Sequence, residues 1–339
     1  MALRYVDSFD MYGSGELAKV WSSTTDSVQI VSSGLHKNGL YVYTSSSFAS
    51  GVTKALDSQQ TWVLGFAIKV NGIGGNAVAP LCSFYDGGIL QLGVYREFNG
   101  SISVKRGSTT LGTTDIVFPM ATWVHMAVKV KIHSSEGAVE VRINGSSAAA
   151  LKLSGINTQN TSNATANTIA FGAIATGTPQ LASIIDNLYI LDGTGQVNND
   201  FLGEVSVIAH SPTGDGTSST WVPSAGTDHY ALVDESPGSA ADYITGSSGD
   251  RDLFTFSPED LTGFTIKGVV LKALAKKTDS GDAGLLLVAK SGETVLQGAA
   301  NVLSQDDMYY SQAIEMDPNT NNAWTPESLA AAEFGVEAS

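Results

Sequence analysis

A single cysteine, Cys82, stands among 339 residues, which excludes an intramolecular disulfide framework and any cysteine-based zinc site. Positive charge is also scarce: 18 Lys and Arg face 33 Asp and Glu, for a formal net charge of −15. That balance repels DNA and anionic lipid and argues against nucleic-acid or membrane-surface binding. No apolar run approaches the ~20 residues of a membrane span. Met1-Ala2-Leu3-Arg4 leads straight into polar residues, without the apolar core of a signal peptide. The expectation is a chain that folds in a reducing cytosol. The sequons Asn144-Gly145-Ser146 and Asn163-Ala164-Thr165 are then chance matches in an Asn-, Ser- and Thr-rich sequence.

Glycine is abundant, at 36 residues, and only 15% of residues are charged, a composition suited to short strands and frequent turns. Hydrophobic residues make up 42% of the chain, enough for substantial cores, and the length corresponds to about two domains of roughly 150 residues. The expected class is all-β.

Residues 121–145 are the clearest local signal. Val124, Met126, Val128, Val130 and Ile132 alternate onto one face, and Val139, Val141 and Ile143 can meet them from a returning strand after a Ser/Glu/Gly turn. Asn144-Gly145 closes this hairpin. Similar short runs at 40–43, 62–70, 89–94, 101–104 and 167–172 follow at the one-turn cadence of an antiparallel sandwich. Residues 184–191 have too many apolar positions for a one-sided strand and belong centrally in a sheet.

Charge divides the chain. Residues 1–200 carry a net −1 and residues 201–339 a net −14. With the turn-rich run Asp192 to Asp200, this places a boundary near residue 200, so that 1–200 form one β-sandwich and 201–339 a second, acidic one. In the second module 205–209 alternate as a strand, and 264–274 with 285–289 read as a hairpin whose polar tip is Lys276 to Asp282. Asp317-Pro318-Asn319-Thr320 is a turn. Thr325-Pro326-Glu327 starts one short C-terminal helix, with Thr as N-cap and Pro at the first helical position, before Phe334-Gly335-Val336 returns to strand.

Trp123-Val124-His125-Met126-Ala127-Val128, Val141-Arg142-Ile143-Asn144-Gly145 and Ile185-Asp186-Asn187-Leu188-Tyr189-Ile190 occur in the order seen in laminin-G-like, concanavalin-type jelly rolls. That resemblance covers about residues 5–195. Over nearly the whole chain, the sequence resembles a family of tailed-bacteriophage structural proteins. The runs that carry this are Asp7-Ser8-Phe9-Asp10-Met11-Tyr12, Asn199-Asp200-Phe201-Leu202-Gly203-Glu204, Trp221-Val222-Pro223-Ser224, Asp317-Pro318-Asn319-Thr320 through Trp324, and Glu333-Phe334-Gly335-Val336. The resemblance implies a non-enzymatic virion component assembled in the bacterial cytoplasm, a tail fibre, other appendage or head decoration. Its partners would be other virion proteins, further copies of itself and host surface glycans, with no nucleic acid and no membrane.

No catalytic signature accompanies these motifs. His125 and His133 suggest a metal ligand or a base, but they lie eight residues and far apart along the hairpin, and a structural role suits both. Glu136 and Glu140 flank its tip as a candidate carboxylate pair, but glycan hydrolases on this sandwich, as the resemblance implies, carry Glu-x-Asp-x-x-Glu along one strand, which is missing here. Asp186, Asp192 and Asp200 are calcium candidates by analogy with laminin-G-like rims, against a plainer role as turn residues. Gly72-Ile73-Gly74-Gly75 lacks the Lys-Ser/Thr of a phosphate loop and reads as a turn. Tyr309 and Tyr310 are candidates for stacking on a sugar or a neighbouring subunit, because adjacent strand residues face opposite ways and one should be exposed. The five tryptophans suit core or corner packing, and Cys82 suits a small buried hydrophobe.

Overall fold

The computed structural model describes residues 2–25, 27–44, 49–73, 78–173, 181–258 and 260–339. Gly74 and Gly75 of the glycine-rich turn lie outside the described residues. The chain is all-β and divides into two compact units, Met1–Val207 and Ile208–Ser339.

In the first unit the predicted hairpin is present in register. Met126 pairs with Ile143, Val128 with Val141 and Val130 with Val139, between strands Trp123–Lys131 and Gly137–Ile143. Val124, Met126, Val128, Val130, Ile132, Val139 and Val141 are all buried. At roughly 25 cal/mol per Å² of apolar surface, each such side chain contributes on the order of 2 kcal/mol. The hairpin lies next to the edge strand Leu151–Ile156 of an eight-stranded sheet that continues through Thr61–Ile73 and Leu181–Asp192 to Gly39–Thr44. Leu181–Asp192 is central, as its two-sided apolar pattern requires, with Leu3–Asp7 also paired to it. A seven-stranded sheet packs opposite, containing Ser50–Gln59, Ala79–Asp86, Ile89–Arg96, Ile102–Arg106 and Ala166–Ala173. The Trp62 indole N–H spans the two layers and donates to the Ala166 carbonyl at 2.9 Å.

The run Asp7 to Tyr12 folds around a buried carboxylate. Asp7 accepts from the Tyr5 and Tyr12 hydroxyls and from the Phe9 amide, while Trp21 donates its indole N–H to Tyr12. Phe9 is held at φ 61°, a left-handed conformation that a bulky residue adopts only where its surroundings fix it.

In the second unit a six-stranded sheet includes Arg251–Thr255, Glu333–Ala338 and Gly284–Ser291, and a ribbon pairs Val269–Ala275 with Met308–Ile314. Two expectations are corrected here. Residues 276–282 are not a hairpin tip, because Val269–Ala275 and Gly284–Ser291 lie in different sheets. Both strands are apolar on the faces they share, so Leu271, Ala273 and Ala275 pack against Leu285 and Leu287 face to face instead of pairing edge to edge. Residues 205–209 form no strand, since the Val207 amide is taken by the Asn187 side-chain oxygen at 2.9 Å. The predicted helix runs Pro326–Ala331, with Thr325 Oγ1 accepting from the Ser328 amide, and a further four-residue helix, Leu17–Val20, lies near the N-terminus.

Candidate functional site

Strand alternation that buries Val124, Met126 and Val128 must send His125 and Ala127 to the opposite, outer face of the large sheet. An outer face is ordinarily wet, yet His125 is only 5% exposed and Ala127 3%. The segment from Asp200 to Val207 covers them. Lys129 pairs with Asp200 at 3.1 Å, the Arg142 guanidinium lies 4.2 Å from the Phe201 ring centroid, and Asn187 holds the Val207 amide.

Tyr189 reaches the same face through an irregularity in its strand. Register with Thr61–Ile73 slips between Asp186 and Tyr189, where Asn187 adopts φ 50°. The Tyr189 ring then lies over Gly65, where a Cβ would sit 2.1 Å from ring carbons, so only glycine admits it. The His125 and Tyr189 rings stack 6.4 Å apart at an interplanar angle of 27°.

Beside them is a cavity of about 250 Å³, lined by His125, Ala127, Arg142, the Gly145–Ser147 turn and Phe201–Gly203. The His125 backbone is fixed by exchange with Asn144, whose amide donates to its carbonyl at 2.7 Å and whose side-chain oxygen accepts from its amide at 3.0 Å. Its ring is not: neither Nδ1 nor Nε2 has a hydrogen-bond partner. Burial lowers the pKa of His125 to about 4, so the imidazole is neutral at pH 7, with one donor and one acceptor to offer. The buried Tyr189 hydroxyl has no partner of good geometry either. Burial pushes its pKa up to about 12, against a smaller downward pull from the Leu202 amide and the Arg142 charge.

Arg142 is committed on one side. Its Nε and Nη2 reach Glu140 at 2.7 and 2.6 Å, and Lys152 reaches the other Glu140 oxygen at 3.1 Å. Burial works to raise the Glu140 pKa, but hydrogen bonds from Arg142 and Lys152 outweigh it and hold the carboxyl below its usual range. Glu140 is therefore a poor proton donor. Glu136 is exposed and pairs with Lys131 at 3.4 Å, so the two glutamates do not converge. His133 caps the hairpin turn, its Nδ1 accepting from the Ser135 and Glu136 amides at 3.1 and 2.9 Å.

The three calcium candidates are each engaged separately. Asp186 accepts from the Leu35 and Asn187 amides, and burial raises its pKa overall. Asp192 is fully buried, pairs with Arg4 and accepts from Thr194. Asp200 accepts from the Phe201 amide and from Lys129. Among the described residues, no group of three or more His, Cys, Asp or Glu converges as a metal cluster. Tyr309 and Tyr310 are both half-buried, so the expectation that one is exposed does not hold: Tyr310 packs against the Leu285–Leu287–Leu303 cluster and accepts from the Ser304 amide. Cys82 is buried and its thiol pKa is raised accordingly.

The sequence offers His125 as a metal ligand or base only to favour a structural role, and it does not single out Gly65, Tyr189, Arg142 or Phe201 as site residues. The available signal was Gly65, a glycine inside the apolar run Trp62–Val70, since an interior strand glycine marks a close approach.

The fold defines the class: an antiparallel β-sandwich protein with short helices. No family model and no curated protein matches the chain. Among solved structures, it is similar to the cellulose induced protein Cip1 at 14% identity and a TM-score of 0.38, over 50% of this chain and 88% of that one. It is similar to the alginate lyase AlgAT5 of polysaccharide lyase family 7 at 11% identity and a TM-score of 0.38, over 50% and 84%. Similarity to Trypanosoma rangeli sialidase, at 14% identity and a TM-score of 0.36, spans 48% of this chain and only 26% of that chain. Likenesses of this extent carry no inference about what this chain binds or does.

Proposed function

We propose that the chain is a non-enzymatic component of a tailed-phage virion, a tail- or head-attached appendage of fibre or decoration type that offers a surface to neighbouring virion proteins or host glycans. The motif resemblance along nearly the whole sequence supports the virion part of this reading. The geometry that supports the recognition part is the outer-face cleft. It gathers hydrogen-bonding and aromatic groups, while Glu140, which grips the lining residue Arg142, is held ionised between Arg142 and Lys152. Two carboxylates a fixed distance apart, one of them kept protonated, are what glycoside hydrolysis ordinarily requires. Glu140 and Glu136 offer neither condition.

As a virion component the protein is expected in stoichiometric amount in mass spectra of washed particles of the phage that encodes it. Its absence from those spectra, with other structural proteins present, overturns the reading.

A further inference from the structure

We infer that the outer-face cleft of the first unit binds one neutral pyranose ring, whose hydroxyls answer the His125 imidazole while its C–H face lies against Phe201 and Leu202. The inference rests on the glycan-facing part of the reading above and adds the site and the ligand class.

The starting observation is a deficit. Buried polar atoms in folded proteins are almost always paired, and each one left unpaired costs about 1–3 kcal/mol. Here both nitrogens of the buried His125 ring lack partners, and His125 lines the cavity. A ligand that supplies those partners recovers what the fold forgoes.

The partner must both give and take hydrogen bonds. A neutral imidazole presents one donor and one acceptor, and a hydroxyl is the neutral group that serves either. Burial holds the ring in that neutral form. An anion is not favoured, because the one guanidinium at the cleft is already matched by Glu140. A purely apolar ligand leaves the deficit in place. Ala127, Phe201 and Leu202 nonetheless give the cavity apolar walls, so the fitting ligand combines hydroxyls with a C–H surface. The volume of about 250 Å³ is enough to admit one sugar ring.

The test uses the full chain. Methyl glycosides of glucose, galactose and N-acetylglucosamine are titrated against it, with glucuronate and N-acetylneuraminate as anionic comparators, followed by calorimetry and by backbone amide shifts. At least one neutral glycoside should bind saturably and shift the amides of Ser146, Ser147, Leu202 and Gly203. His125→Phe, which keeps a ring but removes both nitrogens, should weaken binding about tenfold, as expected for a lost hydrogen bond to a buried group. If that variant does not fold, Phe201→Ala removes the aromatic wall of the cavity and should weaken the same binding severalfold. Binding of the anionic sugars only, binding that neither variant changes, shifts confined to other residues, or no binding by any probe overturns the inference. Washed particles that contain the chain, together with no sugar binding, sink this inference and leave the virion reading standing; particles without the chain do the reverse.

Discussion

His125 gives the first unit a pH signature. In the unfolded chain an imidazole takes up its proton near pH 6.5, and in the folded chain burial lowers that to about 4. Between these values the unfolded state binds more protons, so the contribution to stability is full above about pH 6.5 and is lost as the pH falls toward 4, by on the order of 3 kcal/mol. Urea unfolding of wild type and His125→Phe at pH 7, 5 and 4 checks this: the wild type should lose more stability on acidification than the variant. Equal slopes contradict it. Gly65 makes the second prediction at this scale. Alanine normally improves on glycine within a strand, but a Cβ here meets the Tyr189 ring at 2.1 Å. Gly65→Ala should cost about 1–3 kcal/mol, the range for overpacking, and Tyr189→Ala in the same chain should relieve most of it. Chemical denaturation of the two single variants and the double variant measures both.

Among the elements, the hairpin was legible in the sequence because period-two alternation over Val124–Val130 leaves one register that buries every valine. Residues 184–191 were legible as a central strand for the opposite reason, having too many apolar positions to leave one face to water. The Pro326–Ala331 helix was legible because Thr, Pro and Glu each suit a separate position of its first turn; Thr325→Ala should cost about 1 kcal/mol in denaturant unfolding by removing the cap to the Ser328 amide. Strand pairing was not legible in the second unit, where Val269–Ala275 and Gly284–Ser291 each look able to pair with the other. The choice of face-to-face packing depends on Met308–Ile314 and Glu333–Ala338, which lie far along the chain. The candidate site was hidden for a related reason. It needs the covering segment after Asp200, whose contacts include a bond from the Val207 amide to an Asn187 side chain in a left-handed bulge. Asn187→Ala loses both the bond to Val207 and the tolerance of φ 50°, whereas Asn187→Gly loses only the bond. Alanine should therefore cost about 1 kcal/mol more than glycine, and both should speed hydrogen exchange at the Val207 amide.

For the whole molecule, the two compact units and the charge distribution bear on what the chain is suited to do. The net −14 of residues 201–339 is an electrostatic term that repels other polyanions from that half. The recognition groups lie instead in the first unit, where charges pair locally, as in Lys129 with Asp200 and Arg142 with Glu140. A recognition surface and an active site can be built from the same side chains, and what separates them is whether bound material is changed. The purified chain is incubated with surface polysaccharide from the host bacterium, and both the polysaccharide retained and the new chain ends released are measured. The account predicts retention that falls on His125→Phe, with no new ends above a protein-free control. Release of reducing or unsaturated ends that disappears on His125→Phe or Glu140→Ala would contradict it.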